Sequence, residues 1–249
     1  IDTTDWLPHR VIVSDSGNDI DSSPYAVWWS NPIEVAPSST VGLQSLNDAG
    51  KIYVIASSQT SMGYLLNNHK ISFVILDGQE LLFNSNDNCD LTTPAVGSGT
   101  EQCLIAADSR DFLWLEGQLR NSTAPVTGDV GLFIVNSYHG RFHQLAVTEF
   151  EEGLLTHESN DGYLSSSVFL KNSSNGAIFK QNSHNFFIRR VKASQNNFAL
   201  RTYNSNNLVF QKVSLYSNST GLYLAGSDNS FVSESLFFNN VTSIYAPSG

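Results

Sequence analysis

Five cations crowd one short part of the chain: Arg189, Arg190, Lys192, Arg201 and Lys212. Presented on one face, they form a surface for acidic glycans or for an acidic neighbour; a plain solvated face is the simpler outcome. A second cluster is acidic: Glu149, Glu151, Glu152, Glu158 and Asp161. Two of these carboxyls held at glycosidase distance would suit hydrolysis, whereas spread along an outer turn they only solvate it. His139, His143 and His157, with Glu158, have a generic metal-ligand spacing, and no metal is assigned to them. The chain has no phosphate-binding glycine loop, nucleophile elbow or nucleic-acid motif, so neither a cofactor nor a catalytic residue is assigned. Its net charge of −10 also argues against a nucleic-acid partner.

Cys89 and Cys103 bracket a Thr-, Pro-, Gly- and Ser-rich stretch and are the only two cysteines. Their position favours a disulfide, worth about 3 kcal/mol in the chain-entropy view. A bridge implies an oxidising compartment or a hyperthermophile's interior. Sequons at Asn121, Asn172, Asn218 and Asn240 point to the same extracellular setting. Asn121 and Asn172 are expected to be the better acceptors, because Asn218 and Asn240 also belong to an inward column described next. There is no apolar run of 18 residues, so no transmembrane helix is expected. The first residue is Ile1, which reads as a processed or excised form.

The elements that position these side chains come from a repeat of about 22 residues. Ile188 falls over Phe210 and Val232, Val191 over Val213, and Leu200 over Leu222 and Ile244. Asn196 falls over Asn218 and Asn240, and Ser183 over Ser205 and Ser227. Gly131-Leu132-Phe133, Gly153-Leu154-Leu155 and Gly176-Ala177-Ile178 carry the period back to about residue 128. In the last repeat, Val232 fits an offset of 22 while Leu236 and Phe238 fit 23. The apolar runs within each unit are short, β-rich and broken by Asn, Ser and Gly, so they are strands. Three strands per unit with no helix between them give a solenoid in which each strand pairs in parallel with its equivalent one coil away. Like side chains then stack, and Asn196, Asn218 and Asn240 form an asparagine ladder that satisfies buried polar groups.

Segments such as Asn206-Asn207-Leu208-Val209-Phe210 and Val213-Ser214-Leu215-Tyr216-Ser217-Asn218 resemble the repeats of the right-handed parallel β-helix (pectate-lyase-like) superfamily. The resemblance covers roughly 140–249 and extends plausibly from about 41. It implies an all-β, right-handed parallel β-helix and says little about activity, because such a fold hosts many functions. Lyases of the superfamily use a Lys or Arg base, for which the five cations are the candidates, together with calcium held by acids. The coils carrying those cations hold almost no acids. Hydrolases resembling polygalacturonases use paired aspartates, a His-Gly and an Arg-x-Lys. Tyr138-His139-Gly140-Arg141 supplies the His-Gly, but the other two elements are missing in that context.

Two regions follow. Residues 1–40 hold Trp6, Trp28, Trp29 and four prolines and read as a cap or arm. Trp28 and Trp29 would also suit a sugar-stacking platform. Residues 41–249 read as the β-helix, with the 89–103 loop as a side excursion. Residues 1–161 carry 6 of the 13 Lys/Arg and 21 of the 23 Asp/Glu, a balance of −15, while residues 162–249 are at +5. A linear solenoid turns that asymmetry into a spatial one. With no capping segment after 241–249, the last coil is expected to offer an open edge. The preferred expectation is therefore an extracellular, non-catalytic structural or adhesive solenoid that stacks end to end on other copies of itself as a filament or surface layer. The alternative is a carbohydrate-active protein, lyase, hydrolase or glycan-binding module, acting on acidic polysaccharide.

Overall fold

The computed structural model describes the strands at 33–35, 52–55, 59–60, 64–66, 69–75, 80–83 and 104–107, and then the continuous chain 110–247. Trp6, Trp28, Trp29, Cys89 and Cys103 lie outside the described residues. All strand pairs are parallel, and the described chain winds as a right-handed parallel β-helix with three sheets. The first sheet includes Tyr163–Ser165, Phe187–Arg189, Val209–Gln211 and Phe231–Ser233. Val168–Leu170, Lys192–Ser194, Ser214–Tyr216 and Leu236–Phe238 belong to the second. The third contains Val130–Val135, Glu152–His157, Asn175–Lys180, Phe198–Tyr203, Thr220–Ala225 and Thr242–Tyr245. Two long strands, Arg110–Asn121 and Gly140–Thr148, run through both of the first two sheets.

The coil starts before residue 41. Ile33–Val35, which the sequence places in the N-terminal cap, pairs in parallel with Tyr53–Ile55. Inward columns are apolar and buried: Phe142, Leu164, Ile188 and Phe210 in the first sheet, Val147, Phe169, Ala193 and Leu215 in the second, Leu132, Leu154, Ala177, Leu200 and Leu222 in the third. Each buried Phe or Leu contributes roughly 1.5–3 kcal/mol through area removed from water. The last coil keeps a uniform offset of 22. Leu215 pairs with Phe237, and Leu236 and Phe238 face outward, against the 23-residue expectation. Alternation along a strand explains the difference, since a shift of one residue moves the inward side chain to the other face.

The chain turns at its corners by placing residues in the left-handed region, several in each coil. Between the first and second sheets these are Gln144, Ser166, Arg190, Lys212 and Glu234, with φ from 47° to 55°. Buried polar groups at the corners are satisfied by side chains of the next coil. Asn196 Oδ1 accepts from Asn172 N at 2.9 Å, Asn218 Oδ1 from Asn196 N at 3.0 Å, and Asn240 Oδ1 from Asn218 N at 3.0 Å. The side-chain amides also bond along the column, and Asn172 heads it by accepting from Phe150 N. A parallel serine column links Ser137, Ser159, Ser183, Ser205 and Ser227.

That column corrects the glycosylation expectation. Asn172 is 0% exposed and Asn121 is 1% exposed, and Asn121 Nδ2 donates to the buried Asp129 carboxylate. Asn218 Nδ2 donates to the carbonyls of Ala193 and Tyr216, and Asn240 Nδ2 to that of Leu215. A glycan on any of these nitrogens would replace a bonded N–H with a bulky polar chain, so Asn121 and Asn172 are no better placed to carry one than Asn218 and Asn240.

Candidate functional site on the first sheet

Along the outward side of the first sheet, two columns run parallel to the helix axis. One is Arg141, Tyr163, Phe187, Val209 and Phe231; the other is His143, Ser165, Arg189, Gln211 and Ser233. Register alone fixes these neighbours, because residues on either side of an inward side chain point away from the core. Tyr163 and Phe187 stack face to face, with centroids 5.5 Å apart and planes at 4°. The Arg141 guanidinium sits 5.9 Å from the Tyr163 ring centre, within cation–π range, and its Nη1 donates to the Asp161 carbonyl. His143 Nδ1 lies 2.8 Å from Ser165 Oγ. Burial pushes the His143 imidazole down to about 4, so the ring is neutral at physiological pH.

At the edge of this face runs the corner column. Arg190 and Lys212 occupy successive left-handed positions, each fixed by a backbone bond to the next coil. Their side chains are exposed, and Lys212 Nζ lies 3.3 Å from the Glu234 carboxylate. Such an exposed pair is worth less than about 1 kcal/mol and leaves the lysine available to a stronger anion. Lys192 is exposed just beyond the corner, on the second sheet. The structure therefore gathers Arg189, Arg190, Lys192 and Lys212 around one corner and separates Arg201, which lies on the third sheet between Ile178 and Tyr223.

The aromatic pair is not visible at the 22-residue period. Tyr163 and Phe187 are 24 apart because two extra residues enter that coil, so a fixed-period alignment misplaces them. The acidic cluster disperses. Glu149, Glu158 and Asp161 occupy left-handed corners, Glu151 accepts from Gly128 N, and Glu152 faces out from the third sheet. Neither outward column of the first sheet holds a carboxylate on the strands from Gly140 onward, so the two-carboxylate geometry of glycoside hydrolysis is not assembled there.

Glu152 is half-buried beside Asn175, whose Nδ2 donates to Glu152 Oε1 at 2.9 Å. Burial pushes the Glu152 carboxyl up to about 7 from the ordinary 4.5. The folded state then holds more protons than the unfolded state between those values, so this group lowers stability as pH rises from about 4.5 to 7. Glu152→Gln keeps the acceptor for Asn175. It is expected to stabilise the fold by up to about 3 kcal/mol at pH 8 and not at all at pH 4. Urea unfolding at the two pH values checks it; an equal gain at both would show that the carboxyl is not held neutral.

The architecture and its outward columns define a right-handed parallel β-helix with a cationic, aromatic lateral face. The chain belongs to the family described as periplasmic copper-binding protein (NosD), whose match spans residues 67–249. No curated protein matches the chain. Among solved structures, it is similar to a mutant of the periplasmic alginate epimerase AlgG, with 14% identity over 87% of this chain and 64% of that one, at a TM-score of 0.47. It is also similar to polygalacturonase from Erwinia carotovora ssp. carotovora, with 10% identity over 86% of this chain and 82% of that one, at 0.46. A third is the enzymatically active domain of bacteriophage CBA120 tailspike protein 2, with 9% identity over 86% and 44%, at 0.43. The chain thus spans less than two thirds of the length of the epimerase and of the tailspike domain.

The family description names copper, and the described side chains do not fit it. Among the described residues, no three His, Cys, Asp or Glu side chains converge. His143 faces Ser165, His139 lies 3.8 Å from the Asp161 carboxylate, His157 faces Gln181 Oε1, and His184 Nδ1 accepts from Asn206 N. Each of these four histidines is used by its own coil contacts, and a copper site needs several such ligands around one point.

Proposed function

We propose that this protein is a non-cytoplasmic polysaccharide-binding β-helix that holds an acidic glycan along its first sheet. The observation that carries the reading is the Tyr163–Phe187 stack beside Arg141, flanked by Arg189, Arg190 and Lys212. The stacked pair offers an apolar ridge of ring edges against which a sugar can pack, and the cations offer donors to its carboxylates. Strands spaced about 4.8 Å apart repeat that pattern along the axis, as a polymer requires. The family description and the epimerase, each called periplasmic, support a location outside the cytoplasm. Binding rather than turnover is favoured, because the described face gathers cations and rings but no carboxylate pair.

Affinity electrophoresis of the full chain in polygalacturonate and in alginate tests the reading. The Arg190→Ala/Lys212→Ala double variant is expected to weaken retardation about tenfold, and Tyr163→Ala to a similar extent, each equivalent to about 1.4 kcal/mol. The effect of the double variant should shrink at high salt. No retardation in either polymer, or retardation indifferent to both variants, sinks the proposal.

End-to-end assembly is a second reading, supported by the charge asymmetry between residues 1–161, at −15, and residues 162–249, at +5. A second copy is the occupant this reading names, with the acidic part of one chain meeting the basic part of the next. Sedimentation at rising concentration and low salt should show growing species; a constant monomer mass would remove it.

A further inference from the structure

Three buried polar atoms on the third sheet lack a hydrogen-bond partner: Glu152 Oε2, Asn175 Oδ1 and Arg201 Nε. They belong together. Glu152 and Asn175 are register partners in adjacent coils, and Phe198 follows Asn175 in the next. Asn175 Nδ2 is already used by Glu152 Oε1 and Ser174 Oγ, so its oxygen is the free end. The Arg201 charge also acts on Glu152, favouring its ionised form, but less than burial opposes it.

Around Arg201 stands an aromatic cluster. Its guanidinium carbon is 4.9 Å from the Phe198 ring centre and 5.1 Å from that of Tyr223. Tyr223 packs edge-on to Phe198 at 5.4 Å and lies 5.3 Å from Tyr245. Tyr203 and Tyr245 are exposed on the same side of the sheet.

The unsatisfied atoms select a ligand. Leaving such groups unpaired is costly, and the set is mixed: Asn175 Oδ1 accepts, Arg201 Nε donates, and Glu152 Oε2 accepts when ionised and donates when the carboxyl holds its proton. An anion would satisfy Arg201 and leave both oxygens unpaired; a bare cation would satisfy the oxygens and be repelled by Arg201. A hydroxyl both donates and accepts, and a pyranose adds an apolar CH face for the rings. We propose that the third-sheet face is a saccharide site for a neutral sugar, whose hydroxyls reach Glu152 Oε2, Asn175 Oδ1 and Arg201 Nε while its ring packs against the aromatic cluster at its exposed side, Tyr203 and Tyr245. It lies on a different sheet from the cationic face and does not depend on that face binding anything.

The test is affinity electrophoresis of the full chain in four neutral polymers: hydroxyethyl cellulose, galactomannan, xylan and dextran. At least one is expected to retard the protein, with little change on added salt. Arg201→Met and Tyr223→Ala should each weaken that retardation tenfold or more, whereas Arg190→Ala/Lys212→Ala should leave it unchanged. Tyr203→Ser, at an exposed ring, gives a partial loss and keeps the test open if Tyr223→Ala fails to fold. Retardation by none of the four, or retardation that survives Arg201→Met, overturns the proposal. Failure in polygalacturonate and alginate with success in a neutral polymer removes only the first-sheet reading, and the reverse removes only this one.

Discussion

Asn196→Ala is expected to cost the solenoid about 4 kcal/mol. The Asn196 side chain accepts from Asn172 N at 2.9 Å and from Asn172 Nδ2 at 3.2 Å. It donates to the carbonyls of Phe169 at 3.2 Å and Ser194 at 3.0 Å, and to Asn218 Oδ1 at 3.1 Å. Alanine keeps none of these bonds and leaves the buried Asn172 N–H without its acceptor. A buried unsatisfied group costs about 1–3 kcal/mol, and several are created at once. The loss should be local before it is global, because each coil contacts only its neighbours. Hydrogen exchange should therefore show protection falling in the coils from 169 to 218 first, and urea unfolding should shift to a lower midpoint. A variant within 1 kcal/mol of the parent would mean that water replaces the side chain and that the column is not a structural requirement.

Gly117→Ala should be nearly as damaging, by about 3 kcal/mol. Gly117 has φ of +124°, a conformation that L side chains rarely adopt. An added Cβ would also stand 2.3 Å from Ile75 Cβ and 2.8 Å from Ile75 O. Ile75 is buried, so neither it nor its backbone can move aside without disturbing the neighbouring coil. The residue sits in the long strand Arg110–Asn121, where the first sheet hands over to the second. A thermal melt should fall by roughly 6–12 °C for a chain of this size. An unchanged melting temperature would show that the handover can relax without glycine.

The basic corner and the aromatic pair connect these stability arguments to function. Arg190 and Lys212 are displayed because the coil turns at left-handed residues there, and the asparagine column holds the adjacent corner in each coil. A variant that loosens the column is expected to blur the spacing of Tyr163, Phe187 and the cations before it unfolds the chain. Binding and stability variants must therefore be compared at matched foldedness.

The solenoid, its period and its inward columns are all legible in the order of the residues. Ile188 over Phe210 and Val232, Leu200 over Leu222 and Ile244, and Asn196 over Asn218 and Asn240 all stand as register neighbours. The reason is physical: an inward residue sees its own equivalent one coil away, so the same requirement recurs and leaves a period in the chain. Outward residues have no such constraint. Only the tertiary structure decided that Tyr163 meets Phe187 across an offset of 24, that Arg201 leaves the other four cations, and that the acids between 149 and 161 scatter over separate corners. Burial of Asn121 and Asn172 was equally invisible, because a sequon reads the same on either side of a turn, and only the winding of the coil sets which side that is.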